Sequence, residues 1–113
     1  MKRLALIALA LAATTSAASA YDSRQDRIND RQYDQAYRIY QARRSGDLTL
    51  LEKWRLQAEQ RRIADMERYA LRDGRISRGE AHWIRDAQDR ASRHIYNESH
   101  DGQVSWWRRR FWD

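Results

Sequence analysis

The chain has 113 residues with no Cys and no Pro, 22 Lys+Arg against 16 Asp+Glu, five Trp and six Tyr. That length holds one small domain, and the lack of Cys excludes disulfides, Cys-ligated zinc, iron–sulfur clusters and a thiol nucleophile. Without Pro, long helices run uninterrupted, while the formal charge of +6 raises the question of an acidic partner.

Residues 1–20 read as a secretory signal peptide. Lys2 and Arg3 precede an apolar run from Leu4 to Ala13, and Ala18-Ser19-Ala20 closes it with a small-x-small site. This is the basic, apolar and small-residue order of a cleaved leader. The run is too short to span a hydrocarbon layer of about 30 Å. Cleavage after Ala20 is expected to deliver residues 21–113 to the periplasm or the exterior. Removing Lys2 and Arg3 lowers the charge from +6 to +4, and 13 of the remaining 93 residues are Leu, Ile, Val or Phe. So thin an aliphatic content sits near the boundary of disorder. Twelve aromatics in the whole chain and a clear periodicity argue for a folded domain with a sparse core. Of the mature cations only Lys53 is lysine, a bias that suits pairing with carboxylate or phosphate.

From residue 21 onward the pattern predicts an all-α fold: an elongated antiparallel array of three helices over about 23–44, 50–72 and 78–99, occupying a helical domain of 21–101. The first helix gathers Ile28, Tyr33, Ala36, Tyr37, Ile39 and Tyr40 on one half of its wheel. Asp22, Asp26, Asp30 and Asp34 recur every four residues, interleaved with Arg24, Arg27, Arg31 and Arg38, and read as a solvated mixed-charge face. The second helix places Leu56, Ile63 and Ala70 seven apart beside Met66. The third aligns Ile84, Ala87, Ala91 and Ile95. Short connections favour antiparallel neighbours. A homodimer or a marginally stable monomer would each suit so small a core.

The corners between the helices repeat at a spacing of 28 residues. Arg44-Ser45-Gly46-Asp47-Leu48-Thr49-Leu50-Leu51-Glu52 aligns with Arg72-Asp73-Gly74-Arg75-Ile76-Ser77-Arg78-Gly79-Glu80. Gly46 and Gly74 are placed to close a helix in the left-handed conformation. Thr49 and Ser77 are then N-caps, each completed by Glu52 or Glu80 three residues on as a capping box.

Three resemblances rest on these corners. Repeated (S/D)Gx(L/I)(T/S)xxE over about residues 40–101 is similar to small Arg-rich secreted helical proteins of proteobacteria with no assigned function, which implies location and fold. Leu48-Thr49-Leu50-Leu51-Glu52 resembles the LTxxQ motif of Spy- and CpxP-type periplasmic proteins, with Glu in place of Gln. That resemblance implies an all-helical, dimeric, ATP-independent chaperone or envelope-stress adaptor. The stretch from Asp73 to Glu80 resembles the second half of an EF-hand loop, which would make Asp73 and Glu80 calcium ligands. Its leading positions carry Tyr69 and Leu71, where calcium needs oxygen.

After Gly102 the helical pattern stops, and Trp106, Trp107, Arg108, Arg109, Arg110, Phe111 and Trp112 form a cationic aromatic tail over 102–113. Arg pairs with phosphate and Trp favours the water–lipid boundary, so the tail suits anionic lipid or lipopolysaccharide. It also suits folding back to fill the core beside Trp54, Trp83 and the tyrosines, or a protein partner. An exported location makes nucleic acid a poor partner. No cofactor or metal site is expected. His82, His94 and His100 have no HxxxH or HExxH spacing, although His94 and Glu98 share a face, and four Gly leave no phosphate loop. The expected function is therefore non-enzymatic: a periplasmic interaction protein with a protein partner or client, or an envelope-surface binder acting through its tail.

Overall fold

A computed structural model describes residues 2–101 and 110, and the side chains of 23–101 and 110. The described residues form α1 (Lys2–Arg44), α2 (Leu50–Ala70) and α3 (Arg78–His100). Each helix packs on the other two, and the molecule is elongated at 80 × 22 × 16 Å. The length comes from α1, which continues without a break from Lys2 through the expected start near residue 23. At 1.5 Å per residue such a helix is about 65 Å long. No helix among the described residues is long and apolar enough to cross a membrane.

Cross-helix bonds give the direction of each helix. Arg24 donates to the Ile76 carbonyl and Arg38 to Ser92, so residue numbers rise together and α1 runs parallel to α3. Glu59 meets His94, and Tyr69 meets Trp83, so α2 runs antiparallel to α3. The result is an up-down-up bundle closed by two short corners.

The core is a narrow seam in two sections. One contains Ile28, Ile63, Ala70, Ile76, Ala81, Ile84, Ala87 and Ala91, flanked by Met66 and Leu71. The other contains Ile39, Ala42, Leu48, Leu56 and Ile95. Alanine at so many contact positions lets the backbones approach closely, and ridges of small side chains leave no room for rings between helices. Each fully buried Ile or Leu contributes about 1.5–3 kcal/mol of burial, so a few aliphatics carry most of the cohesion.

A polar layer joins all three helices. The buried Gln35 amide donates to the Gln88 carbonyl at 2.8 Å, and its side-chain oxygen accepts from Gln60 at 2.9 Å. Gln88, also buried, donates to the Ile28 carbonyl at 3.0 Å. Satisfied buried amides cost little, but removing one strands its partners. This layer therefore specifies the register of the three helices. Gln35 stands seven residues after Ile28 and seven before Ala42, a core position occupied by a polar side chain.

The two corners end their first helices differently. After α1, Gly46 at φ 85° donates to Arg43 and Asp47 donates to Ala42, the paired bonds of a Schellman closure. After α2, the helix stops at Ala70 and not near residue 72. A chain of turns follows, with Arg72 donating to Tyr69 and Gly74, at φ 86°, donating to Leu71. Both corners then restart through a complete capping box, with Thr49 and Glu52 opening α2 and Ser77 and Glu80 opening α3.

Candidate interaction surface

Among the described residues the aromatic side chains lie outside the core. Tyr33, Tyr37, Tyr40, Trp54, Tyr69, Trp83 and Tyr96 are between 46% and 79% exposed. This corrects the expectation that Tyr33, Ala36, Tyr37 and Tyr40 share a buried face with Ile28 and Ile39. Helix α1 turns Ile28, Gln35, Ile39 and Ala42 inward. Its tyrosines, at i, i+4 and i+7, form a separate outward stripe. Leu50 and Leu51 add exposed aliphatic surface at the start of α2 beside Trp54.

Several of these rings are held in place. Gln41 donates to the Tyr37 hydroxyl at 2.7 Å. Tyr69 and Trp83 meet edge to face at 6.4 Å between centroids, across the α2–α3 corner. The Arg72 guanidinium lies 4.0 Å over the Tyr69 ring and donates to Glu80 at 3.0 Å. Near the end of α3, Tyr96 stacks on His100 at 3.9 Å. Rings ordered in this way present apolar area with little further entropy to lose on association. Between the ends of α1 and α3 lies an open groove of about 620 Å³, bordered by Tyr37, Arg38, Gln41, Ile95 and His100.

The corner residues are committed to the fold. Thr49 accepts from the Glu52 N–H at 3.2 Å, and Glu52 accepts from the Thr49 N–H at 3.3 Å, both largely buried. Ser77 accepts from the Glu80 N–H and Glu80 from the Ser77 N–H, each at 3.1 Å, at an exposed corner. Glu80 is held below the ordinary carboxyl value, first by the Ser77 hydroxyl, then by the Ser77 N–H, with Arg72 adding to both. The two oxygens of Glu80 are thus taken by Ser77 and Arg72. Asp73, the other residue of the EF-hand-like stretch, accepts from the Arg75 N–H within its own turn. Among the described residues, no three His, Asp or Glu side chains gather as a metal site.

His94 pairs across helices with Glu59 at 2.8 Å, in addition to sharing a face with Glu98. Burial pushes the Glu67 carboxyl up on α2, opposed in part by the nearby Gln32 amide and by Arg68. Arginines among the aspartates of α1 reach beyond that helix. Arg31 reaches Asp89 on α3 at 2.5 Å, and Arg38 bonds the Ser92 hydroxyl at 2.8 Å, with Asp34 more distant at 4.0 Å. Trp106, Trp107, Arg108, Arg109, Phe111 and Trp112 lie outside the described residues, and Arg110 is exposed. No protein family, characterised protein or solved structure matches the chain.

Proposed function

We propose that this protein is a non-enzymatic helical interaction protein of the cell envelope, chaperone-like or adaptor-like, that holds protein partners on its aromatic and arginine-bearing outer faces. One observation carries the reading: seven Tyr and Trp side chains face solvent, four of them held by a neighbouring side chain, while the seam between helices is built from Ile, Leu, Ala and Gln. Tyr, Trp and Arg are the residue types that dominate protein–protein contact energy, and leaving so many rings outside a small domain exposes apolar area that a partner can cover. The leader-like first twenty residues and the LTxxQ-like corner support the location and the class of activity.

The test is suppression of aggregation of an unfolding client protein, compared among the full chain, a chain ending at Gly102, and Tyr33→Ser/Tyr37→Ser/Tyr40→Ser. The triple variant is expected to lose most of the suppression with its melting temperature retained, while the shortened chain keeps it. If suppression is absent from the full chain, or untouched by the triple change, the reading fails. Loss only on removal of the tail transfers the activity to Trp106–Trp112 and supports envelope-surface binding.

A further inference from the structure

The groove between α1 and α3 carries a second feature, distinct from the aromatic faces. Near the α3 N-terminus it holds a cavity of about 70 Å³ bordered by Arg24, Arg27, Arg31, Arg85, Ile28 and Gln88. Arg24, Arg27 and Arg31 stand at i, i+3 and i+7 on one face of α1, and Arg85 faces them from α3. Four arginines therefore border one small space, and no Asp or Glu is among the residues that line it.

The charge balance shows what is missing. Arg31 is matched by Asp89 at 2.5 Å, and Arg24 donates to the Ile76 carbonyl at 3.3 Å. Arg27 and Arg85 have no ion pair or hydrogen-bond partner among the described residues. Gln88 has its amide on Ile28, and so it shapes the wall without supplying a donor. Like charges bordering one space repel one another, and an anion seated there offsets that cost.

We infer that this cavity binds a tetrahedral phosphoryl group, as a free phosphate or as the phosphoryl headgroup of an anionic lipid. A carboxylate is satisfied by one arginine fork. A phosphoryl group presents three or four oxygens and accepts from several guanidiniums at once, and arginines from two helices border this space. The site lies on the helical domain, so it is independent of the arginines of the tail.

The experiment is a calorimetric titration of the full chain with inorganic phosphate at low ionic strength, paired with sedimentation of the chain on phosphatidylglycerol and phosphatidylcholine vesicles. Arg27→Gln/Arg85→Gln is expected to weaken phosphate binding by at least ~10-fold, the loss of one or more charge-assisted bonds. Because both side chains are exposed, circular dichroism and melting temperature should be unchanged without ligand. Arg27→Lys/Arg85→Lys, which keeps charge and loses the fork, should fall between. Arg108→Gln/Arg109→Gln/Arg110→Gln should retain phosphate affinity within ~2-fold, since the tail supplies none of the four guanidiniums. Preferential binding to phosphatidylglycerol that falls in the Arg27→Gln/Arg85→Gln variant identifies the lipid headgroup as the source. Phosphate binding without that loss identifies a soluble phosphoryl ligand. No saturable phosphate binding by the full chain, or equal binding by the Arg27→Gln/Arg85→Gln variant, overturns the inference.

Discussion

The two corners of this bundle share one sequence pattern and differ in almost everything around it. At the first, Leu48, Thr49 and Glu52 are all buried, α1 ends in a Schellman closure, and Arg43 donates to the Leu48 carbonyl at 2.8 Å. At the second, Ile76 is buried, but Ser77 is exposed and Glu80 only half-buried. There α2 unwinds through turns, and Arg72 ties Glu80 to the Tyr69 ring. Local chemistry sets the conformation in both, because glycine takes positive φ without strain and a Ser or Thr hydroxyl satisfies an orphan N–H. The surroundings set how much each bond matters. A capping bond sealed from water has no solvent to replace it, whereas an exposed one competes with water at every moment.

The largest expected effect tests where the corners are alike. Leu48→Ala and Ile76→Ala each remove a side chain that is at most 1% exposed, and each should cost about 2–5 kcal/mol in urea unfolding. A much smaller loss at either site would show that its corner is not anchored by the aliphatic residue before the cap. The caps themselves should separate the two. Thr49→Ala is expected near the upper end of the range for lost caps, about 2 kcal/mol, and Ser77→Ala near the lower end, about 0.5 kcal/mol. Equal losses would show that burial is irrelevant to the difference.

The smallest effect is in pH. Glu80 is held below its ordinary value of 4.5, so its contribution is fully present above pH 4.5 and is lost as pH falls through the lower folded value. Glu67, raised by burial, works the other way: its contribution is present below 4.5 and is lost as pH rises through its folded value. Melting followed by circular dichroism in stepped acid buffers should show Glu80→Gln with a shallower acid loss than the parent. Glu67→Gln should be relatively more stable above the raised value. An unchanged acid slope in Glu80→Gln would remove the exposed capping box as a pH-sensitive element.

The arrangement of three helices was legible because its signals are local. Gly46 and Gly74, then Thr49 with Glu52 and Ser77 with Glu80, mark ends and starts within nine residues each. The stripes of Leu56, Ile63 and Ala70 on α2, seven apart, and of Ile84, Ala91 and Ile95 on α3, seven and then four apart, turn inward as their helical spacing suggests. Helix α1 was harder because two stripes compete on it. Tyr33, Tyr37 and Tyr40 repeat with helical spacing as well as Ile28 and Ile39 do, and a ring counts as apolar in any such pattern. The seven-residue steps from Ile28 to Gln35 to Ala42 carried the better signal, disguised by a polar residue in the middle.

Composition, helix ends and the class of fold follow from the chain alone, since capping, glycine conformation and period 3.6 depend on neighbours a few residues away. Which stripe of α1 went inward depended on the other two helices. Gln60 and the Gln88 carbonyl both bond the side chain at position 35, which turns that stripe toward them. The same packing brought Arg85 opposite Arg24, Arg27 and Arg31, more than fifty residues away in the chain. A converging cluster of this kind has no spacing to read, because distance along the sequence carries no information about distance across a bundle.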